Sequence, residues 1–433
     1  MSQAGGAGRP RFQALDAWLA WQQTLHPQAI DLGLERVRTV AERLGLLRPG
    51  CPVITVGGTN GKGSCVAYLE AVLAAAGYRV GVYTSPHLLR YNERVRIAGA
   101  EAEDAALVDA FARIDAARGD LSLTYFEFGT LAAFDLFGRA GCDCWILEVG
   151  LGGRLDAVNI LDADVAVLTS VGLDHTDWLG TDREAIGAEK AGIFRAGQVA
   201  VCAEPGPPAS IAAQAAALGT TLWQVGRDYR YTVRQDGWSF DGPRGSYPEL
   251  PSPALPGRHQ FGNAAAALAA LQAVGDRLPV PAEAVAAGLV QVRLPGRLQR
   301  LPGPVEWLLD VAHNQDSVAC LVRALAAWPA PGRQHAVFAQ MQRKELEPTI
   351  AAAAGLIDSW WLLELPEADA RPAGDVAAVL RQAGHHVAGQ GGPETLFATV
   401  TAAAATGDRV VVFGSFRTVE EALRYRARQA RKG

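Results

Sequence analysis

Short apolar, β-branched runs alternate with longer stretches of helical period along most of this chain. The runs at 52–56, 79–83, 142–149, 165–171, 199–202 and 222–225 read as buried strands. Between them the apolar spacing predicts helices over 102–118, 126–139 and 182–192. Val66, Leu69, Leu73 and Ala76 mark another helix, which Gly77 closes. Ahead of the first strand, residues 12–46 read as helical, interrupted at His26-Pro27 and by the turn at Ile30, Asp31, Leu32 and Gly33. Such alternation is the signature of a mostly parallel sheet covered on both faces. From 229 to 250 the helical period gives way to tryptophan, tyrosine, glycine and proline, and a small antiparallel excursion is expected. Helices over 261–278 and 282–290 follow.

At Leu294-Pro295-Gly296-Arg297 no apolar period crosses the chain, so a hinge is expected over 295–298. Beyond it the alternation restarts. Strands are predicted at 307–311, 335–340, 360–364, 386–388 and 409–413. The helices between and after them fall at 317–328, 346–357, 376–383, 394–405 and 419–429. Two α/β domains result: a larger one over 1–294, whose first 11 residues read as a flexible tail, and a smaller one over 299–433.

Composition narrows the partners. Hydrophobic residues at 49% and charged residues at 20% of 433 describe a globular chain. A formal net charge of −5 argues against a nucleic-acid or anionic-membrane partner, which needs a broad basic surface. No apolar run reaches membrane-spanning length, and the opening residues lack the apolar core of a signal peptide. The six cysteines form no C-x-x-C pair, and Cys142 and Cys144 are expected on one sheet face. Reduced thiols in a cytoplasmic protein are the reading.

The chemistry centres on residues 51–64, CPVITVGGTNGKGS, where an apolar strand runs through a glycine loop into a helix. Glycines let backbone N–H groups face an anion closely, the helix N-terminus favours negative charge, and Lys62 adds a cation. The spelling departs from the ordinary phosphate loop. Val56 stands where its first glycine would be, and Gly63 separates Lys62 from Ser64. A nucleoside triphosphate is expected here, in a doubly wound sheet of the P-loop ATPase type; the second domain, lacking such a loop, reads as Rossmann-like. Glu148 ends an apolar strand, where a nucleotide enzyme holds magnesium, and Ser85 offers a second oxygen. Taken alone, His175 reads as a hydrogen-bonded structural histidine. Arg90, Arg94 and Arg96 make 88–96 a polar connection, either cations for a carboxylate or phosphate or a solvated charged loop.

The runs VGGTNGKGS, TSPHLLRYNERVRI, TYFEFGTLAAF, EVGLGGRLDAVN, GLDH, EKAGI, LPGR and LDVAHN occur in that order, with VVFGSF near the end. In them the chain resembles the dihydrofolate synthase/folylpolyglutamate synthase family of the Mur-ligase superfamily. That resemblance implies an ATP-dependent amide ligase. It would add L-glutamate to dihydropteroate and to tetrahydrofolate polyglutamates through an acyl phosphate. By position, Thr59, Asn60, Gly61, Lys62, Gly63 and Ser64 match the ATP-binding loop, joined by Asn263, Arg297 and Asp310. Ser85, Glu148 and His175 match magnesium ligands, two Mg²⁺ being expected, and Lys190 matches a lysine carried as a carbamate. The other reading of Lys190 is a helix-surface cation paired with Glu184 or Glu189. His313 matches the place where the incoming glutamate binds, and Lys62, Lys190 and His313 are the implied catalytic set. The pterin-carboxylate site maps to Ile30, Asp31, Leu32 and Gly33, to Thr124, Tyr125, Phe126 and Glu127, and to Leu155, Asp156 and Ala157. A potassium ion and a monomeric state also follow from the resemblance.

One departure stands out. Where the family commonly shows aspartate-lysine-aspartate, this chain has Met341-Gln342-Arg343-Lys344-Glu345. Two other functions share features with this reading. A cell-wall Mur ligase would carry the same loop, but the stretch before it is short for a UDP-sugar domain. A nucleotide-switch protein would need a guanine-reading N-K-x-D, which the sequence lacks.

Overall fold

In the computed structural model, residues 11–431 are described. The expected tail falls outside them except for Arg11. That residue lies over the Trp21 ring at 4.6 Å and pairs with Asp115 at 2.9 Å.

Three sheets organise the chain. The first holds eight strands, β1 (Val53–Gly57), β2 (Val80–Tyr83), β3 (Val95–Ile97), β4 (Ala100–Glu101), β5 (Cys144–Glu148), β6 (Val165–Leu168), β7 (Val199–Cys202) and β8 (Thr221–Gln224). Their order is β4-β3-β2-β5-β1-β6-β7-β8, parallel from β2 to β8, with β3 and β4 antiparallel at the edge. β1 therefore lies in the middle, between β5 and β6. Both faces are covered. Trp18, Phe111, Phe128, Phe134 and Trp145 pack on one side, and Ile54, Val56, Leu69, Val72, Leu268 and Val285 on the other. Helix Ala282–Gln291 crosses the phosphate-loop helix Lys62–Ala75 so closely that a Cβ on Gly288 would stand 2.5 Å from Val72 Cα.

The antiparallel excursion is a three-stranded sheet of β9 (Arg230–Arg234), β10 (Gly237–Gly242) and β11 (Gly245–Leu250). The third sheet holds β12 (Gln299–Leu301), β13 (Glu306–Leu309), β14 (Gln334–Phe338), β15 (Ser359–Leu363), β16 (Val387–Gly391) and β17 (Arg409–Phe413). Its order is β12-β13-β17-β14-β15-β16, parallel but for β12. Trp307, Phe397 and Tyr425 stack beneath it, and Leu88, reaching over from the first sheet's side, is buried in the same cluster.

Two local expectations are corrected. Part of the polar connection over 88–96 is a 3-10 turn, Tyr91–Arg94, leading into β3. Tyr91 and Val95 are buried and Arg96 is neutralised by Glu70 at 2.6 Å, so a charged segment still makes a strand next to the sheet's edge. Cys142 and Cys144 do not share a face: Cys142 precedes β5 and packs in one core cluster, Cys144 in the other. All six cysteines are free thiols. Among the described residues no helix is long and apolar enough to cross a membrane.

Candidate active site

The parallel strands of the first sheet deliver their carboxyl ends to one edge, where the chain leaves β1 as the glycine loop. β5 runs in register with β1, pairing Glu148 with Val56, so its carboxylate arrives beside the loop. Thr169 and Ser170, just after β6, hold the loop from below. The Thr169 hydroxyl donates to the Asn60 carbonyl at 2.7 Å, and the Asn60 N–H donates to Ser170 Oγ at 2.9 Å. Gly61 has φ +86°, and a Cβ there would meet Asn263 Oδ1 at 2.5 Å. Asn263 in turn donates to Gln260 Oε1 at 3.0 Å, and Gln260 approaches Ser64 Oγ at 3.4 Å. Lys62 curls over its own loop, donating to the carbonyls of Gly58 and Thr59 at 3.1 and 3.2 Å.

Around this loop opens a cleft of about 640 Å³. Every candidate residue lines it: the loop from Thr59 to Ser64, Ser85, Glu148, His175, Lys190, Asn263, Arg297, Asp310 and His313. Ile30–Gly33, Thr124–Glu127 and Leu155–Ala157 lie in the same wall. Some of these carry structural work as well. Thr124 and Glu127 form a capping box at the start of helix Tyr125–Ala140, the Thr124 N–H donating to Glu127 Oε2 at 2.7 Å. Asp156 accepts from the N–H groups of Gly150, Leu151 and Val158, while burial lifts its pKa to about 6. Asp31 is tied to Arg36 at 2.7 Å, and Arg36 to Glu127 at 3.2 Å.

Electrostatics sorts the rest. Burial pushes the Glu148 carboxyl above its ordinary value, against the pull of Lys62, the Ser85 N–H and Arg297. Among the described residues it accepts one hydrogen bond, from Ser85 N at 3.2 Å, which leaves lone pairs facing the cleft. Lys190 is 4% exposed, and burial with the repulsion of Lys62 brings its ammonium down to about 7. It is no surface cation. Glu184 is taken by the N–H groups of Ala209 and Ser210, and Glu189 by Arg154. His175 sits at φ +52° and is held neutral, near 3, by burial and the Lys344 ammonium, whose Nζ is 3.4 Å from its Nε2. Among the described residues no three His, Cys, Asp or Glu side chains form a metal-holding group. Ser85, Glu148 and His175 fit a hard divalent cation only as a mixed oxygen and nitrogen set to be completed by phosphate oxygens.

The linker before β12 supplies Arg297, with its guanidinium 5.3 Å above the Phe416 ring, and the end of β13 supplies Asp310. Both Asp310 oxygens accept backbone N–H groups, from Leu298 and Ala312 at 2.8 Å each. His313 Nδ1 donates to the Val311 carbonyl at 2.8 Å. Arg343, where an acid was expected, reaches Asp369 at 4.0 Å across an exposed rim of the cleft.

This geometry matches known proteins over nearly all of the chain. The Mur ligase middle domain model covers residues 56–271, and the Mur ligase glutamate ligase domain model covers 296–416. The dihydrofolate synthase/folylpolyglutamate synthase of Escherichia coli K12 is 45% identical over 94% of each chain. The Haemophilus influenzae protein of that name is 38% identical over 94% of this chain and 96% of that one. The chain belongs to the dihydrofolate synthase/folylpolyglutamate synthase family. Escherichia coli FolC in complex with DHPP and ADP superimposes with a TM-score of 0.92 at 44% identity, over 97% of this chain and 99% of that chain. A bifunctional folylpolyglutamate synthase/dihydrofolate synthase with Mn, AMPPNP and L-glutamate bound gives 0.90 at 45%, over 98% and 100%. Membership in this ATP-dependent ligase family sets aside the cell-wall and nucleotide-switch readings. Sequence reasoning passed over four side chains at the ligase site. Thr169 and Ser170 carried a faint signal, being the polar pair that ends a strand next to the loop. Asp174 and Lys344 fell within noticed runs, GLDH and 341–345, but nothing in the sequence signalled that they pair, because they stand 170 residues apart.

Proposed function

We propose that this chain joins L-glutamate to dihydropteroate and to tetrahydrofolate polyglutamates, converting ATP to ADP and phosphate as the amide forms. The observation that carries the reading is that one cleft is lined at once by the phosphate loop, the pterin-site segments and residues of the third sheet. The substrate carboxylate attacks the γ-phosphorus of ATP, and its oxygen–phosphorus bond forms as the bond to ADP breaks. Lys62, Arg297 and the loop N–H groups offset the charge that builds on the phosphate oxygens. The amine of glutamate then attacks the acyl phosphate carbon, loses a proton, and phosphate departs. Closure of the cleft between the two sheets would keep water from the acyl phosphate.

Ser85, Glu148 and His175 would hold the divalent cations, which neutralise phosphate charge when bound. Lys190 is assigned as a carbamate: an amine with a pKa near 7 is largely neutral at pH 8 and can take up CO₂. Its oxygens would then face the cleft in place of a buried ammonium. The relatives' bound ligands, DHPP and ADP in one, Mn, AMPPNP and L-glutamate in another, support the same substrates here. Potassium, a monomer, a cytoplasmic location and a hinge over 295–298 complete the proposal. Glutamate incorporation with each pterin substrate tests it. The wild-type chain should form ADP and amide in equal amounts, and Lys62→Ala should lower both by about 10³-fold. ADP formed without amide, or near-normal turnover in Lys62→Ala, would refute it.

A further inference from the structure

Asp174 lies one residue before His175, yet the side chains it meets come from beyond the linker. Its Oδ1 accepts from Lys344 Nζ at 2.5 Å, and its Oδ2 accepts from Asn314 Nδ2 at 3.1 Å and faces His313 Nε2 at 3.6 Å. Its own segment supplies the His175 N–H at 2.8 Å. The Asp174 and Lys344 side chains are 8% and 7% exposed, so the pair is shut off from solvent. Asn314 is held further by a reciprocal amide pair with Asn60 of the phosphate loop, at 3.1 and 3.2 Å. The same side chain caps helix Gln315–Ala327 through the Ser317 N–H.

A buried ion pair is poor ground for stability, because desolvation offsets most of its attraction. What it does well is fix position: two desolvated charges have one good arrangement and many bad ones. Here the carboxylate stands in the loop that follows β6, while its three partners stand at the cleft edge of the third sheet. We infer that Asp174 is a positioning residue: by gathering Lys344, His313 and Asn314 it sets where the third sheet stands over the phosphate loop, and so where the glutamate amine reaches the activated carboxyl. This rests on the ligase reading above.

The test uses the full chain as Asp174→Asn, Lys344→Met and the double variant, with Mg-ATP and dihydropteroate. In Asp174→Asn the KM for L-glutamate should rise about tenfold or more, several times further than AMPPNP affinity falls. Lys344→Met should show the same split, which keeps the inference testable should Asp174→Asn not fold. Because each single change strands one charge, the double variant should be far less impaired than the product of the two single losses. A folded Asp174→Asn with unchanged glutamate KM, or losses that simply multiply, would overturn the inference. Failure of the wild-type chain to make any glutamyl amide would overturn the ligase reading and this inference with it. Amide made normally by wild type and Asp174→Asn alike would overturn this inference alone.

Discussion

Lys190 shows how one residue joins stability to function. Its ammonium is brought down to about 7 from 10.5 by burial and by Lys62. Between those values the unfolded chain holds a proton that the folded chain has released, so stability rises with pH across that window. Below pH 7 both states are protonated, and the full penalty of burying the charge remains. Urea midpoints at pH 7 and pH 9 should therefore rise more in wild type than in Lys190→Met, and equal changes would remove the argument. The same neutral amine can carry CO₂. Lys190→Ala should lose about 10²- to 10³-fold in kcat and recover part of it with short carboxylic acids. Intact-mass measurement under bicarbonate should show one added CO₂ on wild type and none on the variant.

At the scale of elements, the strongest patterns in the chain were those with one dominant cause. β1, β5, β6 and β7 are buried on both faces, so each reads as an unbroken apolar run, and the glycine loop follows from the strand and helix around it. β3 was hidden because Arg94 just before it and Arg96 within it carry charge that outweighs so short an apolar signal. β12 was hidden likewise, a short antiparallel edge strand just after the presumed hinge. Thr124 and Glu127 looked like ligand residues through resemblance alone, and their capping box supplies a second, structural reason for that spelling. The packing of Gly288 on Val72 had no one-dimensional signal, since it depends on how two helices cross. It yields a prediction at this scale. Gly288→Ala puts a methyl against backbone that cannot step aside, and should cost about 1–3 kcal/mol in chemical denaturation. The strain falls on helix Lys62–Ala75, so AMPPNP affinity should fall too; a neutral effect on both would show that the helices part freely.

For the whole molecule, the question is what makes two separate sheets act as one catalyst. Their direct link is mostly polar, Asp174 with Lys344 and Asn60 with Asn314, with Leu88 reaching into the far core as an apolar contact. Polar contacts of that kind favour one orientation without supplying much cohesion. Nucleotide should supply the rest, since its phosphates would lie on the loop while Arg297 and Asp310 approach from the other side. Asp310 has a second task, because its two oxygens tie Leu298 and Ala312, and Leu298 itself holds a left-handed φ of +45°. Without that carboxylate the linker would lose its anchor, and the third sheet would no longer share in the nucleotide's binding energy. Calorimetry can read this. With Mg-AMPPNP at about 100 times its Kd, wild type should gain about 2.7 kcal/mol and unfold in one transition. Asp310→Ala should keep part of that gain for the first sheet and unfold in two steps, the later one alone moving with nucleotide. A single transition in Asp310→Ala that shifts as far as wild type would mean that the polar contacts alone couple the sheets.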